Sequence, residues 1–146
     1  MSEISYLAQG VELPPINQTA VNEWIAQVAQ RHGRVVGDLT YIFCNDEKIL
    51  EVNRQYLQHD YFTDIITFDY SSRKRILGDM FISLDTIKSN AELFERAYTE
   101  ELMRVVIHGV LHLCGINDKG PGEREIMEAA ENRALDMLSA AEAIIR

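Results

Sequence analysis

The stretch Leu102-Met-Arg-Val-Val-Ile-His108-Gly-Val-Leu-His112-Leu-Cys-Gly115-Ile-Asn-Asp118 decides how this chain folds. It is apolar almost all round as far as Cys114, which predicts a helix buried inside the domain. The two imidazoles are four residues apart and share one helical face. Gly115 can end the helix by taking a positive φ. The reversed chain can then return a side chain from Ile116–Lys119 to the imidazoles. Asp118 is the best placed carboxylate there, with Asn117 or a water as substitute should Asp118 face solvent. Two nitrogens and one oxygen converging on a point are the donor set of a catalytic metal site with an open position. The competing reading is a structural pair of histidines bonded to backbone or carboxylate. Burying two imidazoles without partners costs roughly 1–3 kcal/mol each, and one shared metal partners both.

This donor set favours one Zn²⁺ per chain, with Ni²⁺, Co²⁺ or Mn²⁺ able to fit. A metal-bound water of lowered pKa is then the expected nucleophile, and hydrolysis the reaction class. Gly109 stands where H-E-x-x-H metalloproteases carry their general-base Glu, so a zincin-type metallopeptidase lacks its most diagnostic residue. A glycine there also admits another backbone or a bulky substrate.

A length of 146 residues suits a single domain, 1–146. No apolar run reaches transmembrane length, and Met1–Gly10 lacks a basic start followed by an apolar stretch. A cytoplasmic protein without a membrane partner is expected. The two cysteines, Cys44 and Cys114, imply no disulfide framework, and Cys114 should point away from the imidazole face. The net charge of −9 argues against general affinity for nucleic acid. The densest basic group is Arg73-Lys74-Arg75, with Arg31, His32 and Arg34 as a looser second one. Solvated turns are the plain reading of both.

Outward from the histidine helix, the pattern yields β-α-β-α-β-β-α-α-α. Glu3–Ala8 alternates as a short strand. Asn17 caps a helix with Val21, Trp24, Ile25, Val28 and Ala29 inward, ending by Gly33. Asp38–Cys44 reads as a strand, and Asn45 caps a second helix carrying Ile49, Leu50, Val52, Asn53 and Tyr56. After an irregular His59–Thr63, strands Asp64–Tyr70 and Gly78–Asp85 form a hairpin with Arg73–Arg75 at its tip. Asp85–Arg96 reads as a helix burying Ile87, Ala91, Phe94 and Leu93. Thr99 is the expected cap of the histidine helix, followed by Glu100 and Glu101 at its positive end. A last helix runs from Glu123 to about Ile145. Parallel pairing across the first strand–helix–strand unit plus an antiparallel hairpin gives an α+β domain with a mixed four-stranded sheet.

Three blocks resemble the YbeY endoribonucleases, bacterial ribosomal-RNA maturation factors. H-G-V-L-H-L-C-G from His108 to Gly115 closely resembles their signature. Val52-Asn53 with Tyr56, then Thr63–Phe68, resembles L-N-x-x-Y-R … T-D-V-L-S-F. Leu77–Ser83 resembles G-D-I-x-I-S, and Met127 and Glu131 fit the final helix. The likeness runs from about Val52 to Leu135; the first fifty residues agree only in the order of elements. It implies a zincin-like site, with ligands at His108, His112 and position 118. It also implies a single-strand-directed endoribonuclease acting on the small ribosomal subunit's RNA and in ribosome quality control. A monomer is expected. Two positions depart from the family: Asp118 replaces a third His, and Leu57 replaces an Arg that faces the metal cleft. Arg54, His59 or Arg73, Lys74 and Arg75 are candidates to supply that cation to substrate. Asp64 and Asp79 are the carboxylates singled out for catalysis, with capping of a backbone turn as their plain reading. A non-catalytic ribosome assembly factor with a structural metal is the other alternative.

Overall fold

Side-chain caps start three of the helices. Asn17 Oδ1 accepts from the Ala20 N–H at 3.3 Å, Asn45 Oδ1 from Lys48 N–H at 2.9 Å, and Ser83 Oγ from Thr86 N–H at 3.3 Å. The computed structural model describes residues 3–57 and 63–138. Its elements are β1 (Ile4–Ala8), α1 (Gln18–Arg31), β2 (Val35–Cys44), α2 (Asp46–Leu57), β3 (Ile65–Asp69), β4 (Arg75–Ser83), α3 (Leu84–Leu93), α4 (Tyr98–Leu113) and α5 (Glu123–Leu135). This is the order and the α+β class expected from the sequence.

The strands form one mixed sheet in the order β1-β2-β4-β3. β2 pairs in parallel with β1 and with β4, and β3 closes the edge as an antiparallel hairpin with β4. Helices α1, α4 and α5 bury Trp24, Ile25, Val106, Ile107 and Met127 against Leu39, Tyr41, Phe43 and Met80 on one sheet face. On the other face Ile49 and Val52 of α2 pack on Ile66, with Phe68 and Phe81 at the rim. Polar tips of the core aromatics find carbonyls: Tyr41 Oη donates to Val106 O at 3.0 Å and Trp24 Nε1 to Ala134 O at 2.8 Å. Among the described residues no helix is long and apolar enough to cross a membrane.

Some local expectations need correction. Both β2 and β4 begin three residues earlier than their patterns suggest, because Val35 N–H reaches Lys74 O at 2.8 Å and a register shift between Val36 and Leu39 absorbs Gly37. Thr99 is not a cap: α4 opens at Ala97 without a side-chain cap. Glu95 takes φ 52°, and Arg96 N–H reaches back to Ala91 O at 2.8 Å, delivering the chain extended at Ala97. The same turn ends α3 early and swings Leu93 and Phe94 outward, 72% and 50% exposed rather than inward. Helix α5 ends at Leu135, and the part of its expected run beyond residue 138 lies outside the described residues. Gly109 admits no substrate: a Cβ there would lie 2.5 Å from Met80 Sδ and 3.0 Å from Ile65 Cδ1. Its missing side chain lets the hairpin press against α4.

Candidate metal centre

Arg104, His108 and His112 follow one another at helical spacing and line one face of α4. The helix ends as its sequence requires. Gly115 takes φ 97°, and the Gly115 and Ile116 amides close on His112 O at 3.0 Å and Leu111 O at 3.1 Å. The reversed chain brings Asp118 Oδ2 to 3.3 Å from His108 Nε2. His108, His112 and Asp118 together line a cavity of about 220 Å³, walled by Asn53 of α2 and by Asp64 and Thr67. The structure thus brings the three expected ligands to one cavity.

Bonds of about 2.0–2.1 Å in a tetrahedral shell set two donor atoms about 3.3 Å apart. The His108–Asp118 pair stands at that separation. Among the described residues no three His, Cys, Asp or Glu side chains are already closed into a metal-holding group. The His108–Asp118 pair has the spacing that one edge of such a shell would need, and His112 lines the same cavity. The second nitrogen of His108 is also taken: Nδ1 lies 2.7 Å from Glu131 Oε2. Glu131 Oε1 in turn accepts from Arg104 at 3.0 Å, and Arg104 also donates to Asn132 Oδ1 at 2.8 Å. A carboxylate on the far nitrogen is how metal-binding imidazoles are oriented. The residues present fit a divalent ion.

Electrostatics follow the same contacts. Burial pulls the His108 imidazole down. The Glu131 hydrogen bond and charge, then Asp64 and Asp118, outweigh it and leave the pKa above its ordinary value. Burial raises Asp64, and Glu101 adds to that. His108 and the Asp64 and Ile65 amides oppose without cancelling it. Asp64 also lines a larger cleft of about 580 Å³ that continues from His108 and Asp118 toward Phe94, Arg96 and Arg124. Arg96 is tied there to buried Glu101 at 2.9 Å and stacks 5.2 Å from the Phe94 ring centre.

Other candidates stay away from the cavity. Gly78 and Met80 of β4 face α4, so strand alternation turns Asp79 to the opposite sheet face. There its carboxylate accepts from Tyr70 Oη at 3.3 Å, which removes it as a base at this site. Arg54 lies on the outer flank of α2 with Glu51 and Gln55. Arg73, Lys74 and Arg75 sit at the other end of the hairpin from Asp64. His59 lies outside the described residues. Glu131 and Arg104 received no site role from the sequence, though a signal existed. Glu131 sits on the buried face of α5 with Met127, Ala130 and Ala134, and a carboxylate on an apolar helix face requires a buried partner.

The family model described as Endoribonuclease YbeY matches residues 8–139. The chain belongs to the YbeY family. Relatives called Endoribonuclease YbeY include one from Phocaeicola vulgatus, 66% identical over 93% of this chain and 99% of its own. Another, from Parabacteroides distasonis, is 65% identical over 92% of this chain and 95% of its own. A solution structure of a Thermotoga maritima protein shares the fold with a TM-score of 0.64 at 23% identity, covering 92% of this chain and 91% of that one. The YbeY match begins at residue 8, so it takes in residues 8–50, where the sequence motifs alone gave only an order of elements.

Proposed function

We propose that this YbeY-family chain is a metal-dependent endoribonuclease, cleaving single-stranded segments during ribosomal RNA maturation and ribosome quality control. In this reading His108, His112 and Asp118 hold one Zn²⁺, or Ni²⁺, Co²⁺ or Mn²⁺ in its place. The protein is a cytoplasmic monomer, and RNA of the small ribosomal subunit is its substrate. The observation that carries the reading is the doubly held His108 imidazole, with Glu131 on Nδ1 and Asp118 beside Nε2.

When bound, a divalent ion supplies Lewis acidity and an activated water. The chain's own residues do the rest. Glu131 accepts the Nδ1 proton and leaves the Nε2 lone pair facing the cavity. Asp64, with its raised pKa, is the carboxylate placed to take a proton from the attacking group. Leu57 replaces the family cation, and Arg124 at the cleft mouth is the residue placed to meet a phosphate. A metallopeptidase is disfavoured, because Met80 and Ile65 fill the space a Glu at position 109 would need.

The test is metal content together with RNA and casein cleavage by wild type and His112→Ala, both free of contaminating nuclease. Stoichiometric metal and RNA cleavage, both lost in the variant, are expected. RNA cleavage that survives metal loss would sink the reading. Bound metal with no hydrolysis would point to an assembly factor.

A further inference from the structure

The sheet gathers cations that are far apart in sequence. Val35 N–H donates to Lys74 O at 2.8 Å, and Val35 registers with Arg75. The hairpin turn with Arg73, Lys74 and Arg75 therefore lies beside the end of α1 and the start of β2, where Arg31 and Arg34 sit. Arg133 of α5 joins them: with Arg31 and His32 it lines a hollow of about 420 Å³. Burial and the Arg133 charge hold the His32 imidazole below its usual pKa. Arg34 also reaches the end of α4, within 3.6 Å of where a Cβ on Gly115 would stand.

Six of the chain's 14 Lys and Arg residues thus collect at one end of a molecule whose net charge is −9. Among the described residues none of the six forms an ion pair, whereas Lys48, Arg96 and Arg104 each have a carboxylate partner. The α1 dipole accounts for a cation at Arg31. It does not account for three consecutive ones on a hairpin turn. Guanidinium groups dominate the group, and they bind phosphate through paired N–H donors.

We propose that this end of the molecule is a second RNA contact, holding the sugar–phosphate backbone of the substrate strand away from the metal cavity. The idea rests on the endoribonuclease reading and adds where the rest of the strand runs. Ile65 beside the cavity pairs with Ile82, seven residues along β4 from Arg75. At about 3.3 Å per residue the two ends are separated by roughly 20–25 Å. The contact therefore supplies affinity and direction while chemistry stays at the cavity.

The experiment follows cleavage of a labelled 30-nucleotide single-stranded RNA by the metal-loaded protein across a series of KCl concentrations, with anisotropy of the same strand as a direct binding measure. The triple variant Arg73→Gln/Lys74→Gln/Arg75→Gln is compared with Arg73→Lys/Arg75→Lys. Each phosphate contact contributes about −0.7 to the slope of log affinity against log salt for single strands. The glutamine variant should therefore flatten the slope by about 2 and raise KM severalfold, with kcat held. The lysine variant should keep the wild-type slope. An unchanged slope and KM in the glutamine variant overturn the proposal, as does a loss confined to kcat. So does loss of an acidic protein partner with RNA binding intact. Wild-type protein that neither binds nor cleaves RNA overturns the functional reading itself, and that result is distinct from wild-type cleavage unaffected by the variant.

Discussion

Glu131 stands between two residues of α4, with Oε2 2.7 Å from His108 Nδ1 and Oε1 3.0 Å from Arg104. One carboxylate thus fixes the imidazole's tautomer and neutralises a guanidinium one helical turn away. A glutamine has a single acceptor and turns donors toward one of those partners. Glu131→Gln should therefore lower metal affinity by roughly 10–100-fold while the protein still folds, measured by chelator competition. Glu131→Ala leaves the Arg104 guanidinium without its carboxylate and should remove about 3–5 kcal/mol of stability by urea unfolding. An unchanged metal affinity in the glutamine variant would show that the contact does not orient the ligand.

The histidine's raised pKa fixes a direction for pH dependence. Folded His108 titrates above its ordinary 6.5. Its contribution to stability is therefore complete below 6.5 and lost as pH rises through the folded value. Without metal, the urea midpoint should fall as pH rises above the ordinary histidine value of 6.5, and His108→Gln should flatten that fall. A bound ion requires the neutral imidazole, so metal-loaded protein should show stabilisation that grows with pH. A metal-free midpoint that climbs as pH rises above 6.5 would contradict the assignment.

The histidine helix was legible because its chemistry is local: apolar wrap, spacing of four and a terminal glycine all lie within one stretch. The return of Asp118 to His108 was legible for the same reason, since only a reversal at Gly115 separates the two. What the sequence hid depends on tertiary placement. Asp79 was a plausible base until the face of β4 was known, because alternation assigns a face only once some residue of the strand is located. Phe94 looks inward by helical period, but the positive φ at Glu95 breaks the period one residue after it. The Arg104–Glu131–His108 chain joins two helices, and the contact of the Val35 amide with the Lys74 carbonyl needs the parallel pairing of β2 with β4.

Gly109 makes a second prediction about the helix. Restoring the H-E-x-x-H pattern with Gly109→Glu should not create a peptidase. The new Cβ would overlap Met80 Sδ at 2.5 Å, and Met80 is fully buried. An unpaired carboxylate would then be buried under the sheet, a penalty of several kcal/mol. Insoluble or unfolded protein is expected, read by circular dichroism. A folded variant that cleaves casein would overturn both this packing argument and the exclusion of peptidase chemistry.

The two thiols report on how tightly the helix is held. Burial pushes Cys114 up to about 11 despite nearby Arg34, and burial pushes Cys44 up to about 12. Both are free and buried, so the thiolate is scarce and the reagent has no path to it. Native protein should give almost no reaction with a disulfide reagent near neutral pH, and denatured protein two equivalents. Any slow native reaction must pass through local opening. Cys114 lies two residues beyond His112, so an ion holding α4 to Asp118 should suppress its opening more than that of Cys44 on the sheet. Mass spectrometry of labelled peptides, with and without zinc, separates the two rates. Equal protection of both cysteines by zinc would mean that the ion stabilises the whole fold rather than this helix end.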